Sequence, residues 1–69
     1  MKLSARNVIP GTIRSIDIGA VNIDLVVEIA PGLEMSSVIT KKSYERLELE
    51  VGKEVFVVVK ASNVMIATE

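Results

Sequence analysis

Asn22-Ile23-Asp24-Leu25-Val26-Val27-Glu28-Ile29 alternates with a period of two. Ile23, Leu25, Val27 and Ile29 take one face, and Asn22, Asp24, Val26 and Glu28 take the other. Such alternation predicts a strand with one side on a core and the other toward solvent.

Upstream, Ile9 to Ile18 reads as the strand that hairpins onto it. Ile9, Gly11 and Ile13 share one parity, while Ile16 and Ile18 take the other. The switch predicts a bulge or strong bend near Arg14-Ser15. Pro10 has no N–H for a ladder and belongs at an edge or a strand start. Asp17-Ile18-Gly19-Ala20 is the expected turn, with Gly19 at positive φ. Downstream, Pro31-Gly32 marks a second turn. Met35 to Thr40 is the third strand, with Met35, Ser37 and Ile39 on one side.

Thr40 then reads as the N-cap of a short helix, Lys41-Lys42-Ser43-Tyr44-Glu45-Arg46-Leu47. Tyr44 and Leu47, three residues apart, are placed to cover one end of a barrel. Val51-Gly52-Lys53 is a turn. Val55 to Val59 is apolar on both faces, which calls for a core on one side and another layer on the other. In so small a chain that layer is expected from a second subunit. Val64-Met65-Ile66-Ala67 is the expected last strand. The whole is read as one all-β domain over residues 1–69. Its form is a small five-stranded barrel of the oligonucleotide/oligosaccharide-binding (OB) type, with one short helix between strands 3 and 4. Closure would also hide apolar strand edges.

Composition narrows the chemistry. A chain of 69 residues buries only about 60% of its unfolded surface. Small domains of this kind are steadied by disulfides, a metal or oligomerisation. With no Cys and no His, disulfides, thiolate sites, most zinc sites and the commonest general base are excluded. Oligomerisation remains. The net charge of −1 is poor for a nucleic-acid binder, and Tyr44 and Phe56 are the only aromatic residues on which bases could stack. No apolar run reaches the roughly 20 residues of a membrane span. No signal-peptide core opens the chain, so a cytoplasmic protein is expected.

Charge is nonetheless uneven. Residues 1–16 hold Lys2, Arg6 and Arg14 and no acid. Ser4-Ala5-Arg6-Asn7 and Lys60-Ala61-Ser62-Asn63 each set a cation among short residues that let a ligand reach backbone N–H and hydroxyl donors. Lys41 and Lys42 sit where a helix dipole prefers anions. Ser4, Arg6, Lys60, Thr40 and Ser43 together make the donor set that an acceptor-only oxyanion requires. Each also has a plainer reading: Thr40 as a cap only, Ser43 as a first-turn residue, the lysines as solvated surface. Catalysis has less support. Asp17, Asp24 and Glu28 fall on solvent-facing or turn positions, no phosphate loop is present, and no oxyanion-hole signature accompanies a Ser-Lys pair.

Several runs, in order and at matching separations, resemble the molbindin (Mop) family of molybdate- and tungstate-binding proteins. They are Ser4-Ala5-Arg6-Asn7; Gly19-Ala20-Val21-Asn22; Ser37-Val38-Ile39-Thr40 with Ser43 and Leu47; Gly52; and Val59-Lys60-Ala61-Ser62-Asn63-Val64-Met65-Ile66. The resemblance implies a non-enzymatic protein that buffers intracellular molybdate or tungstate, with no organic cofactor and no bare metal cation. It also implies a hexamer, a trimer of dimers, with oxyanions held between subunits. Ser4, Arg6, Lys60 and Ala61 would then be opposed by Thr40 and Ser43 of a neighbour, with Ala5, Asn7 and Ser62 as flanking candidates. Some relatives carry Ser where this chain has Ala61, so one hydroxyl is lost. For a second class of site near the threefold axis, Gly19, Ala20, Val21, Asn22, Ser36 and Ser37 are the candidates. A nucleic-acid-binding OB domain and a purely structural oligomerisation module are the competing readings.

Overall fold

A computed structural model describes residues 2–69. Its elements are β1 (Asn7–Ile18), β2 (Asn22–Ala30), β3 (Leu33–Thr40), α1 (Lys41–Arg46) and β4 (Glu54–Val59), followed by a 3-10 turn at Ala61–Asn63. The strands form one antiparallel sheet in the order β3-β2-β1-β4. The helix falls between the third and fourth strands, as expected.

The expected bulge is present. Ile13 lies opposite Val27 and Ser15 opposite Val26, so Arg14 is the extra residue. Ahead of it Ile13 is buried, and beyond it Ile16 turns inward instead. Arg14 projects from the bulge and donates to Glu28 Oε1 at 2.7 Å. This hydrogen bond, then the Coulombic attraction of Glu28, raises the guanidinium pKa above its ordinary value.

β1 serves two neighbours in succession. Asn7 to Thr12 pair with β4, whereas pairing with β2 begins only at Thr12. A strand that exchanges one neighbour for another turns a corner in the sheet. Gly11 sits at that corner, where a Cβ would come 2.6 Å from Val27 Cγ1 and 2.9 Å from the Glu28 carbonyl oxygen. Ile13 donates to Lys53 O and accepts from Gly52 N, so residues of its parity face the β4 side. Pro10 has the other parity and turns its missing N–H to the side that carries no strand.

The core is small. Ile13, Ile23, Leu25 and Val27 are its buried apolar residues, each worth about 1.5–3 kcal/mol. Val55, Val57 and Val59 are half-buried on the same side, while Phe56 is 61% exposed and Val58 is exposed on the other. β4 therefore has an inner and an outer apolar face, and Val8 and Pro10 extend the outer one opposite Val58 and Phe56.

Three expectations need correction. Val64–Ala67 forms no strand among the described residues, because no strand of this chain lies beside it; Met65 is 93% and Ile66 85% exposed. Among the described residues the sheet consequently has four strands, not five, in an order that does not close into a barrel. Gly19 does not take positive φ; that conformation belongs to Gly32 (74°), Gly52 (92°) and Glu48 (52°). Gly19 is needed for a close approach instead, since a Cβ there would stand 2.7 Å from Asn22 O, the carbonyl that accepts the Gly19 N–H. β1 and β3 also start two residues earlier than the alternation alone placed them, at Asn7 and Leu33. Among the described residues no helix is long and apolar enough to cross a membrane.

Candidate functional site

The β1–β4 ladder ends with Asn7 opposite Val59. The next residue on each side is Arg6 and Lys60, and two further on are Ser4 and Ser62. Antiparallel register thus brings the two small, cationic runs from opposite ends of the chain to one edge of the sheet. Ser4, Arg6, Lys60, Ala61 and Ser62 are exposed, and Ala5 and Asn7 are half-buried. The Asn7 carboxamide donates from Nδ2 to Val59 O at 3.2 Å. Past the ladder, Asn63 N–H donates to Lys60 O at 2.9 Å and Val64 N–H to Ala61 O at 3.3 Å, closing the 3-10 turn.

Thr40 and Ser43 lie elsewhere. Thr40 ends β3 opposite Asn22 and caps α1, its hydroxyl oxygen accepting the Ser43 N–H at 3.1 Å. Lys41 N–H donates to Val21 O at 3.2 Å, which ties the Gly19–Asn22 turn to the start of the helix. The first turn of α1 has no acidic residue. Among the described residues the only ion pair is Arg14–Glu28, so Arg6, Lys60, Lys41 and Lys42 face no carboxylate partner.

The two groups are not brought together within one chain. They sit toward opposite ends of β1: Arg6 and Lys60 lie just beyond the Asn7–Val59 pair, whereas Thr40 pairs with Asn22, beside the turn that follows Ile18. No ladder pairing or hydrogen bond links them. Of the second-site candidates, Gly19, Ala20, Val21 and Asn22 adjoin Thr40. Ser36 and Ser37 lie mid-strand opposite Val26 and Leu25, and they point to different faces: Ser36 is exposed and Ser37 half-buried over the core.

Lys53 is a residue that sequence reasoning missed. Its Nζ donates to Leu47 O at 2.9 Å and Glu48 O at 3.0 Å, satisfying carbonyls at the end of α1. The sequence marks Lys53 only as part of the Val51-Gly52-Lys53 turn and carries no signal for this role. An open concavity of about 510 Å³ is lined by Glu28 and Glu54 among apolar and small residues, including Pro10, Gly11 and Phe56. Its carboxylates disfavour an anion. Among the described residues no cluster of acidic side chains is suited to a metal ion.

Residues 3–66 match the TOBE domain family model. The chain is 41% identical over its full length to the whole of a probable molybdenum-pterin-binding protein of Haemophilus influenzae. It is 45% identical over its full length to the molybdenum transport protein ModE of Azotobacter vinelandii, of which it spans only 26%. The molybdate-binding protein of Sporomusa ovata superposes with a TM-score of 0.92 at 32% identity, covering 99% of this chain and all of the other. The cytoplasmic molybdate-binding protein ModG, in a form with molybdate bound, gives a TM-score of 0.89 at 40% identity over 94% of this chain and 46% of its own. The matches that span the whole of both chains are to proteins named for binding molybdenum-pterin or molybdate, not for an enzymatic activity. The chain belongs to the TOBE domain family, within its molbindin (Mop) group.

Proposed function

We propose that this chain binds molybdate, or the isostructural tungstate, between subunits of a homo-oligomer and serves as a cytoplasmic store of the ion. The observation that carries the reading is the place of Arg6 and Lys60, each one residue beyond the Asn7–Val59 pair that ends the β1–β4 ladder, both exposed and neither paired with a carboxylate among the described residues. A molybdate dianion offers only acceptors, and this edge is rich in donors: the two donor-only cations, the Ser4 and Ser62 hydroxyls, and the backbone N–H groups beside Ala5 and Ala61. Relatives named for molybdenum or molybdate point the same way.

The remaining donors come from another copy. Thr40 and Ser43 end the sheet at the far side of β1, so they complete the site in trans. The apolar outer face of β4 and the exposed Val64–Ile66 segment supply surface for that assembly. A hexamer built as a trimer of dimers satisfies both, with Val64–Ala67 gaining its strand partner, and the barrel its closure, on assembly. Gly19 to Asn22, with Ser36 and Ser37, are the candidates for a second class of site on the threefold axis.

Titration calorimetry with molybdate, tungstate, sulfate and phosphate tests the reading. Binding of the first two well above the others is expected. Phosphate near neutral pH carries a proton that needs an acceptor, which the two cations and the N–H groups do not supply, and sulfate is smaller. The exposed face of β4 also favours a purely structural oligomerisation module. An assembled protein that binds none of the four ions would establish that reading instead.

A further inference from the structure

We infer that Asn7 is a positioning residue, which sets the place of the Lys60 ammonium by holding the Val59 carbonyl and acts on the anion only through Lys60. The inference rests on the oxyanion reading given above. Asn7 and Val59 are the last residues the β1–β4 ladder pairs. Beyond them the backbone separates into the Ser4–Arg6 run on one side and the 3-10 turn on the other. Lys60 begins that turn in an extended conformation (φ −62°, ψ 133°), and no side chain caps it. The Asn7 Nδ2–Val59 O bond is the one side-chain hydrogen bond joining the two runs among the described residues.

The carbonyl that Asn7 grips belongs to the peptide unit whose other end is the Lys60 N–H. That unit is planar. Fixing its oxygen therefore fixes the direction of the Lys60 N–H and the point from which the Lys60 side chain departs. Asn7 is half-buried, and its carboxamide N–H is already committed to the carbonyl, whereas Arg6 beside it is exposed and uncommitted. Adjacent residues of the Ser4-Ala5-Arg6-Asn7 run thus divide the work. Arg6 presents charge to the anion, and Asn7 turns the other way to hold the strand that carries the second charge.

The test is a double-mutant cycle on the assembled protein, read by molybdate calorimetry and by thermal unfolding without ligand. Asn7→Ala is expected to weaken molybdate binding about three- to tenfold, the range of one neutral hydrogen bond. In the Lys60→Ala background the same substitution is expected to leave affinity unchanged while still lowering the ligand-free midpoint. A further loss of affinity in that background would overturn the inference, because Asn7 would then act on the anion by a route other than the Lys60 ammonium. Unchanged affinity for Asn7→Ala alone would overturn it as well. Asn7→Leu, which keeps bulk without the N–H, serves if the alanine variant does not fold, with the same expectations. Failure of the unaltered protein to bind molybdate would overturn the oxyanion reading and this inference together; normal binding with an additive cycle would overturn this inference alone.

Discussion

The Thr40 and Ser43 hydroxyls stand 3.1 Å apart across the first turn of α1, and the Thr40 oxygen also accepts the Ser43 N–H. The two side chains are therefore unequal. Thr40 holds the helix start, whereas Ser43 contributes its backbone N–H to the cap and its half-buried hydroxyl only accepts from Thr40.

Thr40→Ala is expected to lower stability by about 0.5–2 kcal/mol, the usual cost of losing an N-cap oxygen. Ser43→Ala leaves the capping N–H in place and is expected to be nearly neutral for folding. Both are expected to weaken molybdate binding in the assembled protein. Denaturant titration and calorimetry on the two variants separate the effects. A double variant with unaltered affinity would remove this end of the sheet from the site.

Arg6→Ala and Lys60→Ala each delete a charge-assisted donor at the end of the β1–β4 ladder. Each is expected to weaken molybdate binding by about 1.5–3 kcal/mol, roughly ten- to a hundredfold, with the fold retained. Circular dichroism checks the fold and calorimetry the affinity. Unfolding of either variant would assign these cations to structure instead.

Gly11→Ala is expected to be the most damaging small substitution. The added carbon would sit 2.6 Å from Val27 Cγ1, inside the core, and 2.9 Å from a main-chain oxygen of β2 that cannot swing aside. A loss of about 1–3 kcal/mol or more is expected. The thermal midpoint reads it, and Gly32→Ala is the comparison. Gly32 has open space around its α-carbon but a φ of 74°, so its cost is conformational and smaller.

Phe56→Lys puts a charge in the centre of the outer face of β4. It is expected to shift the protein toward smaller species in light scattering while leaving the inner face, Val55 and Val57, intact. A smaller species with secondary structure unchanged is the expected result, and an unchanged assembly would free this face from any interface.

Arg14 gives a sign that can be checked. Its pKa is raised in the folded chain, chiefly by the hydrogen bond to Glu28 and then by Coulombic attraction. A group raised in this way adds stability that is fully present below its unfolded pKa and lost as pH climbs through the folded value. That window is strongly alkaline. The small destabilisation by Arg14→Ala is thus expected to be the same on either side of neutral pH and to shrink with added salt. Unfolding curves at two pH values and two ionic strengths decide it.

Side-chain periodicity made the inner sheet legible. The parity change between Ile13 and Ile16 gave away the bulge, because a buried face must be restored after an extra residue. The Thr40 cap was legible for a similar reason: a short polar side chain between a strand and a helical run has few other uses. Val64–Ala67 misled, since a short apolar run shows only that a segment can be a strand. A strand also needs a neighbour, and whether one lies alongside is decided by chain packing. Gly19 misled because a glycine serves close contact as well as positive φ, and the sequence does not distinguish the two. Of the candidate site, the meeting of Arg6 and Lys60 was foreshadowed by the two runs, but their register depended on where the ladder ends. That Thr40 and Ser43 lie at the other end of β1 was not visible before the strand order was known.

Pro10 has a consequence for how this chain meets its copies. It stands in the half of β1 that has a neighbour on one side alone, with its nitrogen toward the vacant side. A strand arriving there finds no donor at the middle of the edge, so growth by successive strand addition stalls at that point. Apolar side chains such as Phe56 remain free to make contact there, but this stretch of β1 cannot itself template a continuous ladder, which leaves β3 and β4 as the edge strands of the sheet. At Pro10 the chain is therefore adhesive through its side chains and closed to strand addition along its main chain.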